Sequence, residues 1–600
     1  MSTDTFGRYL LNEYLPTKYQ INGTTTKKEL NKNMHSLARL DPRAYVKTIA
    51  GLKRTGDMVS TTEGMSIGLD DIAPEYNRRN TALQPYVQQF KSATTSAKRS
   101  QIAEAAQEKM IGIALKHKGT MTQQVESGAR GKPFSYSNIV ATPAAARDAG
   151  GKTIPWLIER SYSEGLKPSD YWAAGNEAIL NTIKSSVSVA EPGELSKILI
   201  SNMSDLIVTE EDCGTHNGIT LSADSPDVVD RFLARDASKF SRNALVTPQT
   251  QSQIMKDGLS KVVVRSPMTC EASDGVCKKC QGLDEKGHVH EYGTNVGVRA
   301  AQALAEPMTQ MALSTKHGSK SSKKERHQVG GLQGIRQTIE SPKQFINKAT
   351  LAEQDGLVTR IEKAPQGGNF VWLGKKDHYV TPNLDVTVHV GQQVERGDAL
   401  SEGIPKPDEV VKYKGISAGR LYVVNHLHKL YKDQGMNHDK RHFELLAKGE
   451  LNHARILDNN NNSKFLKGDI VSYNILKSEL ARGAKELPLT EANGKTLGKE
   501  YFQFSAGSRV TPATIRTLKS EGIKNVYVAP RAPEVEFVMK PATRAPMLNP
   551  DWMARLSHRN LKTMIQQAAH GGEESNLHGT NPVPAYVIGT DFGRGEKGRY

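Results

Sequence analysis

The chain of 600 residues has four cysteines, and their spacing is its clearest chemical signal. Cys270, Cys277 and Cys280 form C-x6-C-x2-C within RSPMTCEASDGVCKKC, and Cys213 stands upstream in EDCGT. Four thiolates with a C-x2-C knuckle suit tetrahedral zinc, whose all-sulfur shell leaves no open position when its role is structural. Two disulfides or four unrelated thiols are the competing readings. The first is disfavoured because the N-terminus, MSTDTFGRYLLNEYLP, lacks the basic and apolar regions of a secretion signal. The second is disfavoured because all four lie within 68 consecutive residues. A zinc site here is expected to pin the end of the preceding helix to the start of the next.

Three other positions carry candidate chemistry. The stretch 297–318, GVRAAQALAEPMTQMALSTKHG, joins a small-residue helix to His317, and SKSSKKERHQVGG after it is too polar to pack. A helix, a mobile basic tip and a returning helix over 331–340 are expected. Histidine supplies a charge or a proton near neutral pH, although for one of 17 histidines a surface side chain is the plain alternative. In SGARGKPFSYSNI, glycines place Arg130 on a turn, available to an anion or simply a surface charge. Asp70 and Asp71, closing GMSIGLDD, can hold a metal or cap a turn, and the cap is favoured.

The elements that must position these residues follow from periodicity. Apolar residues recur at helical spacing over 5–71, and a helical hairpin, either protruding or an ordinary core-facing pair, covers 85–118 with Val87, Phe90, Ile102, Ala106, Met110, Ile113 and Ala114 on its stripe. A long slim helix starts near Pro168, with Ile179, Ile183 and Val187 on one face and an end weakened by Val187, Val189, Pro192 and Gly193. Strands are expected at 356–361 and 386–390, with tight turns at Gly391, Gly397 and Gly403. Helices return at 420–434, 441–447 and 556–569, the last burying Leu561, Met564, Ile565 and Ala568.

Length gives a prior of roughly four domains, and 37% hydrophobic residues suffice for several cores. No run of about 18 apolar residues suggests a membrane span. A net charge of +16 makes a polyanionic partner plausible without identifying it.

Taken in order, TFGRYLLNEYLP, GMSIGLDD, SGARG, EGLKPSDYW, AEPGEL, EEDCGT, RSPMTC, GVCKKC, VGVRAAQALAEPMTQ, VERGDALSEG, QGMNHDKRHFELL and LSHRNLKTMIQQAAHGG make the chain resemble the C-terminal part of the largest, beta-prime, subunit of multisubunit DNA-dependent RNA polymerases. Only about 494–551 departs from the pattern. The resemblance implies a mixed α and β multidomain fold: a helical funnel or channel-rim region over 1–130, a loop plus a long bridge helix over 131–208, and a zinc-binding region over 209–290. A trigger-loop hairpin over 291–340, a small β-rich jaw over 341–450 and a helical C-terminal region over 451–600 complete it; within the last, the divergent segment 494–551 alternates short strands with turns by its own pattern. Residues 171–195 are similar to the bridge helix that crosses the active-site cleft, and 300–340 to the trigger loop that folds against the incoming nucleotide. By position, Val189 and Ala190 support the template base, Arg130 contacts the triphosphate, Gln310 the sugar, Leu313 the base and His317 the phosphates. Phosphoryl transfer needs this kind of positioning and charge stabilisation more than covalent chemistry.

The departures carry their own implications. No DFDGD-like run occurs, so the catalytic magnesium ions are expected on a partner, an N-terminal beta-prime-like chain. Beta-like subunits, template DNA, RNA, nucleoside triphosphates and a promoter-specificity subunit are the other implied partners. Ser314 replaces the family's usual arginine and Met308 its glycine, while Ile179 and Ser188 stand where the bridge helix is usually basic. Starting just beyond the missing DFDGD-like loop, the chain resembles the split-subunit beta-prime arrangements of plastids, cyanobacteria and some large bacteriophages. This drift favours the bacteriophage form over the plastid or cyanobacterial one, acting in the cytoplasm of an infected cell or packaged in a virion. The alternative from another class is a non-catalytic, zinc-stabilised nucleic-acid-binding or assembly protein derived from the same scaffold.

Overall fold

The computed structural model describes residues 5–575 except 24, 65, 118, 149–151, 187–189, 273, 315–330, 461–463 and 557–560. It separates into two compact units, Met1–Ser185 and Ser186–Tyr600.

In the first unit Thr26 and Glu29 form a reciprocal capping box that starts the helix Lys27–Leu40, and Asp41 with Pro42 starts Pro42–Thr62. Helices Tyr76–Ser92 and Ser96–Ala114 follow. The expected hairpin is therefore present, but its second helix buries Ile102, Ala103, Ala106, Met110, Ile113 and Ala114. Core packing, against the helix Pro133–Val140 and the antiparallel pair Ala144–Arg147 and Thr153–Ile158, decides for the core-facing pair over the protruding hairpin. A stripe that wide covers too much apolar surface to stand in water. The helix Pro168–Ser186 follows, with Asp170 accepting a hydrogen bond from Trp156 Nε1 at 3.0 Å. Tyr171, Trp172, Ile179 and Ile183 on it are exposed.

The second unit is built on the helices Ala190–Met203, Val296–Ser314, Ile416–Asp433 and Lys440–Glu450. Their close approach demands glycine at two points. A Cβ at Gly297 meets Met203 O at 1.9 Å, and one at Gly449 meets Asn202 O at 2.4 Å. Leu199, Met203, Ala300, Leu304, Tyr431 and Phe443 fill the shared core. The returning helix is Gly331–Glu340, with the expected bounds.

The β-rich part is a four-stranded antiparallel sheet in the order Gln393–Val394, Gly356–Lys363, Asn369–Leu373, Lys376–Val380, over its own core of Val358, Val371, Leu373 and Leu400. Gly391, Gly397 and Gly403 take φ of +89, +87 and +116°, as tight turns require. The strand expected at 386–390 shrinks to a single bridge, Val386 to Ser401, because Val390 is exposed and has no sheet face to join. The C-terminal region is mixed: the short strands expected within 494–550 are present, and further strands before residue 494 correct the helical reading of the rest. Strands Ile470–Ser472, His453–Asp458 and Glu534–Phe537 form one sheet, and Lys485–Pro488 pairs with Asn525–Val528. Residues 494–551 contribute most of a small core made by Leu489, Leu497, Val510, Leu518, Val526 and Val528. At the end, Met564 and Ala568 are buried as expected, whereas Ile565 is exposed and the side chain of Leu561 is outside the described residues.

Candidate functional site

The four cysteines converge. Strand Val208–Glu210 pairs in parallel with Val276–Cys277, which brings the turn carrying Cys213 beside the C-x2-C knuckle. Gly275 makes that pairing possible: its φ is +64°, and a Cβ there would sit 2.1 Å from Ile207 O. The four sulfurs lie within 4.8 Å of one another, with Cys213 and Cys280 at 3.7 Å. A tetrahedral ion with sulfur ligands at about 2.3 Å separates its sulfurs by about 3.8 Å, so the donor set fits a zinc-sized cation. Backbone N–H groups of Cys277 and Cys280 donate to Cys270 Sγ and Cys277 Sγ at 3.3 Å, and Glu271 N–H donates to Cys213 Sγ at 3.4 Å. Burial pushes the Cys280 thiol well above its ordinary value, while hydrogen bonds from Cys270, Cys277 and Cys280 hold Cys213 far below. A cation binds cysteines as thiolates, so one bound here would displace the thiol protons. Beside the cysteines the end of Ala190–Met203 meets the start of Val296–Ser314 directly, the carbonyl of Leu206 accepting from Gly297 N at 2.9 Å.

Charged side chains that sequence reasoning did not single out surround the cysteines. Arg265 is fully buried and donates to Asp212 Oδ1 at 2.5 Å, Asn243 Oδ1 at 2.8 Å and three of the sulfurs. Burial opposes its charge, but Cys280, Cys213 and Asp212 outweigh it and raise its pKa. Behind it Arg231 and Glu444, both buried, form a two-pronged ion pair at 2.7 and 2.8 Å, and Ser266 Oγ donates to Glu444 at 2.6 Å. Lys448 Nζ donates to Cys270 O at 3.1 Å. The one sequence signal for Arg265 was its place in RSPMTC; nothing local marks Arg231 or Glu444 as partners.

The remaining candidates are distributed otherwise. Arg130 is exposed on a turn between Gly128 (φ +72°) and Gly131 (φ +80°) in the first unit, with its N–H on Gln124 O at 3.2 Å. Gln310 and Leu313 belong to the helix Val296–Ser314 of the second unit, their side chains outside the described residues, and Ala190 opens the helix Ala190–Met203. His317 and Val189 lie outside the described residues. Pro307 interrupts the hydrogen-bond ladder of Val296–Ser314, and the Tyr431 hydroxyl donates to Leu304 O there at 2.7 Å. Asp71 is a cap: its oxygens accept from Gly68 N–H at 2.9 Å and Thr120 N–H at 2.7 Å, and these bonds hold its carboxyl below the usual range.

Fold and site together define a multidomain chain whose helical core is tied at one end by a four-thiol centre. The chain belongs to the family RNA polymerase Rpb1, domain 5, whose model matches residues 165–482. It is similar to the DNA-directed RNA polymerase subunit beta' of Desulforudis audaxviator, at 27% identity over 80% of this chain and 44% of the relative. The subunits beta' of Oceanobacillus iheyensis (26%, 76% and 39%) and Geobacillus kaustophilus (29%, 69% and 37%) match in the same way. The chain thus spans less than half the length of these curated relatives. Among the described residues no helix is long and apolar enough to cross a membrane.

Proposed function

We propose that the chain is a subunit of a DNA-dependent RNA polymerase and supplies bridge-helix and trigger-loop elements to template-directed nucleotide addition. The observation that carries this reading is the family match over 165–482, which takes in the helices Pro168–Ser186, Ala190–Met203, Val296–Ser314 and Gly331–Glu340 together with the cysteine set. In this reading Arg130 and His317 meet the triphosphate, Gln310 and Leu313 the sugar and base, and Val189 and Ala190 back the template. These groups orient the nucleotide and offset charge developing on the transferred phosphoryl group. Magnesium, held by aspartates on a partner chain, stabilises the attacking and leaving oxygens when bound. Cys213, Cys270, Cys277 and Cys280 hold a structural zinc, and the surplus of lysine and arginine gives a salt-sensitive grip on downstream DNA. The drift at Ile179, Ser188, Met308 and Ser314 supports a bacteriophage enzyme, made in the infected cell or carried in the virion.

The test is co-purification followed by RNA extension on a DNA template in magnesium. A complex containing a chain with the three-aspartate loop and extending RNA is the expected result. A chain that purifies alone and only binds DNA replaces the polymerase reading with that of a zinc-stabilised binding or assembly protein. Within the active complex, His317→Ala slows nucleotide addition at least tenfold with assembly intact; an unchanged elongation rate removes His317 from the mechanism.

A further inference from the structure

We propose that Arg265 is the built-in counter-charge of the four-cysteine centre, a positioning residue that sets how tightly the centre holds its cation. The inference rests on the reading of the cysteines as a metal site and goes beyond it, because nothing in the ligand set requires a fifth, cationic member.

A divalent cation with four thiolates carries a net charge of minus two, and this centre lies largely out of water: Cys270, Cys277 and Cys280 are buried and Cys213 partly so. Uncompensated charge in such a place is costly. Arg265 has no solvent exposure, and its guanidinium stays charged at any ordinary pH. One arm is accounted for by Asp212 and Asn243. The other, Nη2, has sulfur partners among the described residues: Cys213 Sγ at 3.2 Å, Cys280 Sγ at 3.4 Å and Cys277 Sγ at 3.6 Å. Neutral thiols are poor partners for a buried cation, whereas thiolates are strong ones. The arm is therefore aimed at the charge that the sulfurs acquire when they become ligands.

The guanidinium is also held in place. Arg265 directly follows the strand Lys261–Val264, and its own N–H bonds Phe232 O at 2.8 Å. Its carbonyl accepts from Arg231 Nη1 at 3.4 Å, and Arg231 is fixed by Glu444. The competing role, in which Arg265 merely pairs with Asp212, makes a different prediction. If the two form a unit for stability alone, removing either member weakens the site in the same direction. If Arg265 compensates the thiolates, the charges act with opposite signs: a positive neighbour favours the anionic loaded centre, and the Asp212 carboxylate opposes it.

The experiment is zinc competition against a chromophoric chelator on the full chain, for wild type, Arg265→Gln, Arg265→Lys and Asp212→Asn. Expected are one zinc per wild-type chain, a 10- to 100-fold weaker affinity with faster zinc release for Arg265→Gln, typical of outer-shell losses, and an intermediate value for Arg265→Lys. Asp212→Asn binds zinc more tightly than wild type. Because Asp212 is partly exposed, that variant keeps the test decisive if Arg265→Gln does not fold. Weaker binding by Asp212→Asn, or unchanged affinity in both Arg265 variants, overturns the counter-charge. A wild-type chain that takes up no zinc removes the metal reading and this inference with it, whereas a zinc-loaded chain indifferent to the substitutions removes the counter-charge alone.

Discussion

Two groups of side chains in this protein have the chemistry of metal ligands, the four cysteines and the pair Asp70–Asp71, and the fold uses them in opposite ways. Asp71 is occupied by backbone donors, at Gly68 three residues before it and at Thr120, which opens the helix Thr120–Glu126. Asp70 is bonded through its carbonyl, which accepts from His117 Nε2 at 3.1 Å and from Ala73 N at 3.3 Å. The cysteines come from separate segments; Cys270, Cys277 and Cys280 are buried, and backbone N–H groups donate, weakly, to the sulfurs of Cys213, Cys270 and Cys277. Carboxylates are readily consumed as caps, so adjacency alone says little about metal. Sulfurs brought together from 213 and 270–280 have no comparable local use.

Substitutions separate the two groups, the largest effect coming from the cysteines. Cys277→Ser is expected to lose the zinc and the cooperative melting of the second unit, read by metal content per chain and by calorimetry; retention of one zinc per chain breaks the comparison. Next is the frame around them. Glu444→Gln leaves Arg231 buried without its counter-ion and destabilises the second unit by about 3–5 kcal/mol in denaturant unfolding. Asp71→Asn has a smaller effect, lowering the melting temperature of the first unit by a few degrees. Its pH dependence has a definite sign. The folded pKa of Asp71 lies below the unfolded value of about 4, so its contribution is present above that value and is lost as pH falls through the lower folded one. The variant therefore differs from wild type at neutral pH and converges on it in acid. Asp70→Asn is smallest, with no measurable change in melting or in metal content.

Much of the helical frame was legible because its period and its stops are local. Gly331–Glu340 was readable to the residue, the hairpin stripe supplied the face that Ser96–Ala114 buries, and the three glycines at 391, 397 and 403 marked real turns. Gaps and errors occurred where burial depends on a distant partner. The pattern left open whether the hairpin protrudes or faces the core, 386–390 looked like a strand but keeps a single bridge, and Ile565 sits on the buried period yet faces outward.

The cysteine spacing by itself determined that a thiol centre was to be expected, since C-x6-C-x2-C fixes three donors within one short segment. Only the tertiary structure decided how Cys213 reaches them, through a parallel strand pairing that depends on Gly275, and which charges enclose the set. Arg265, Arg231 and Glu444 lie up to 213 residues apart in sequence, and no local pattern announces a partner at that distance. Side-chain charge is written in the sequence, but the low-dielectric surroundings that make a buried charge need a partner exist only once the chain has folded.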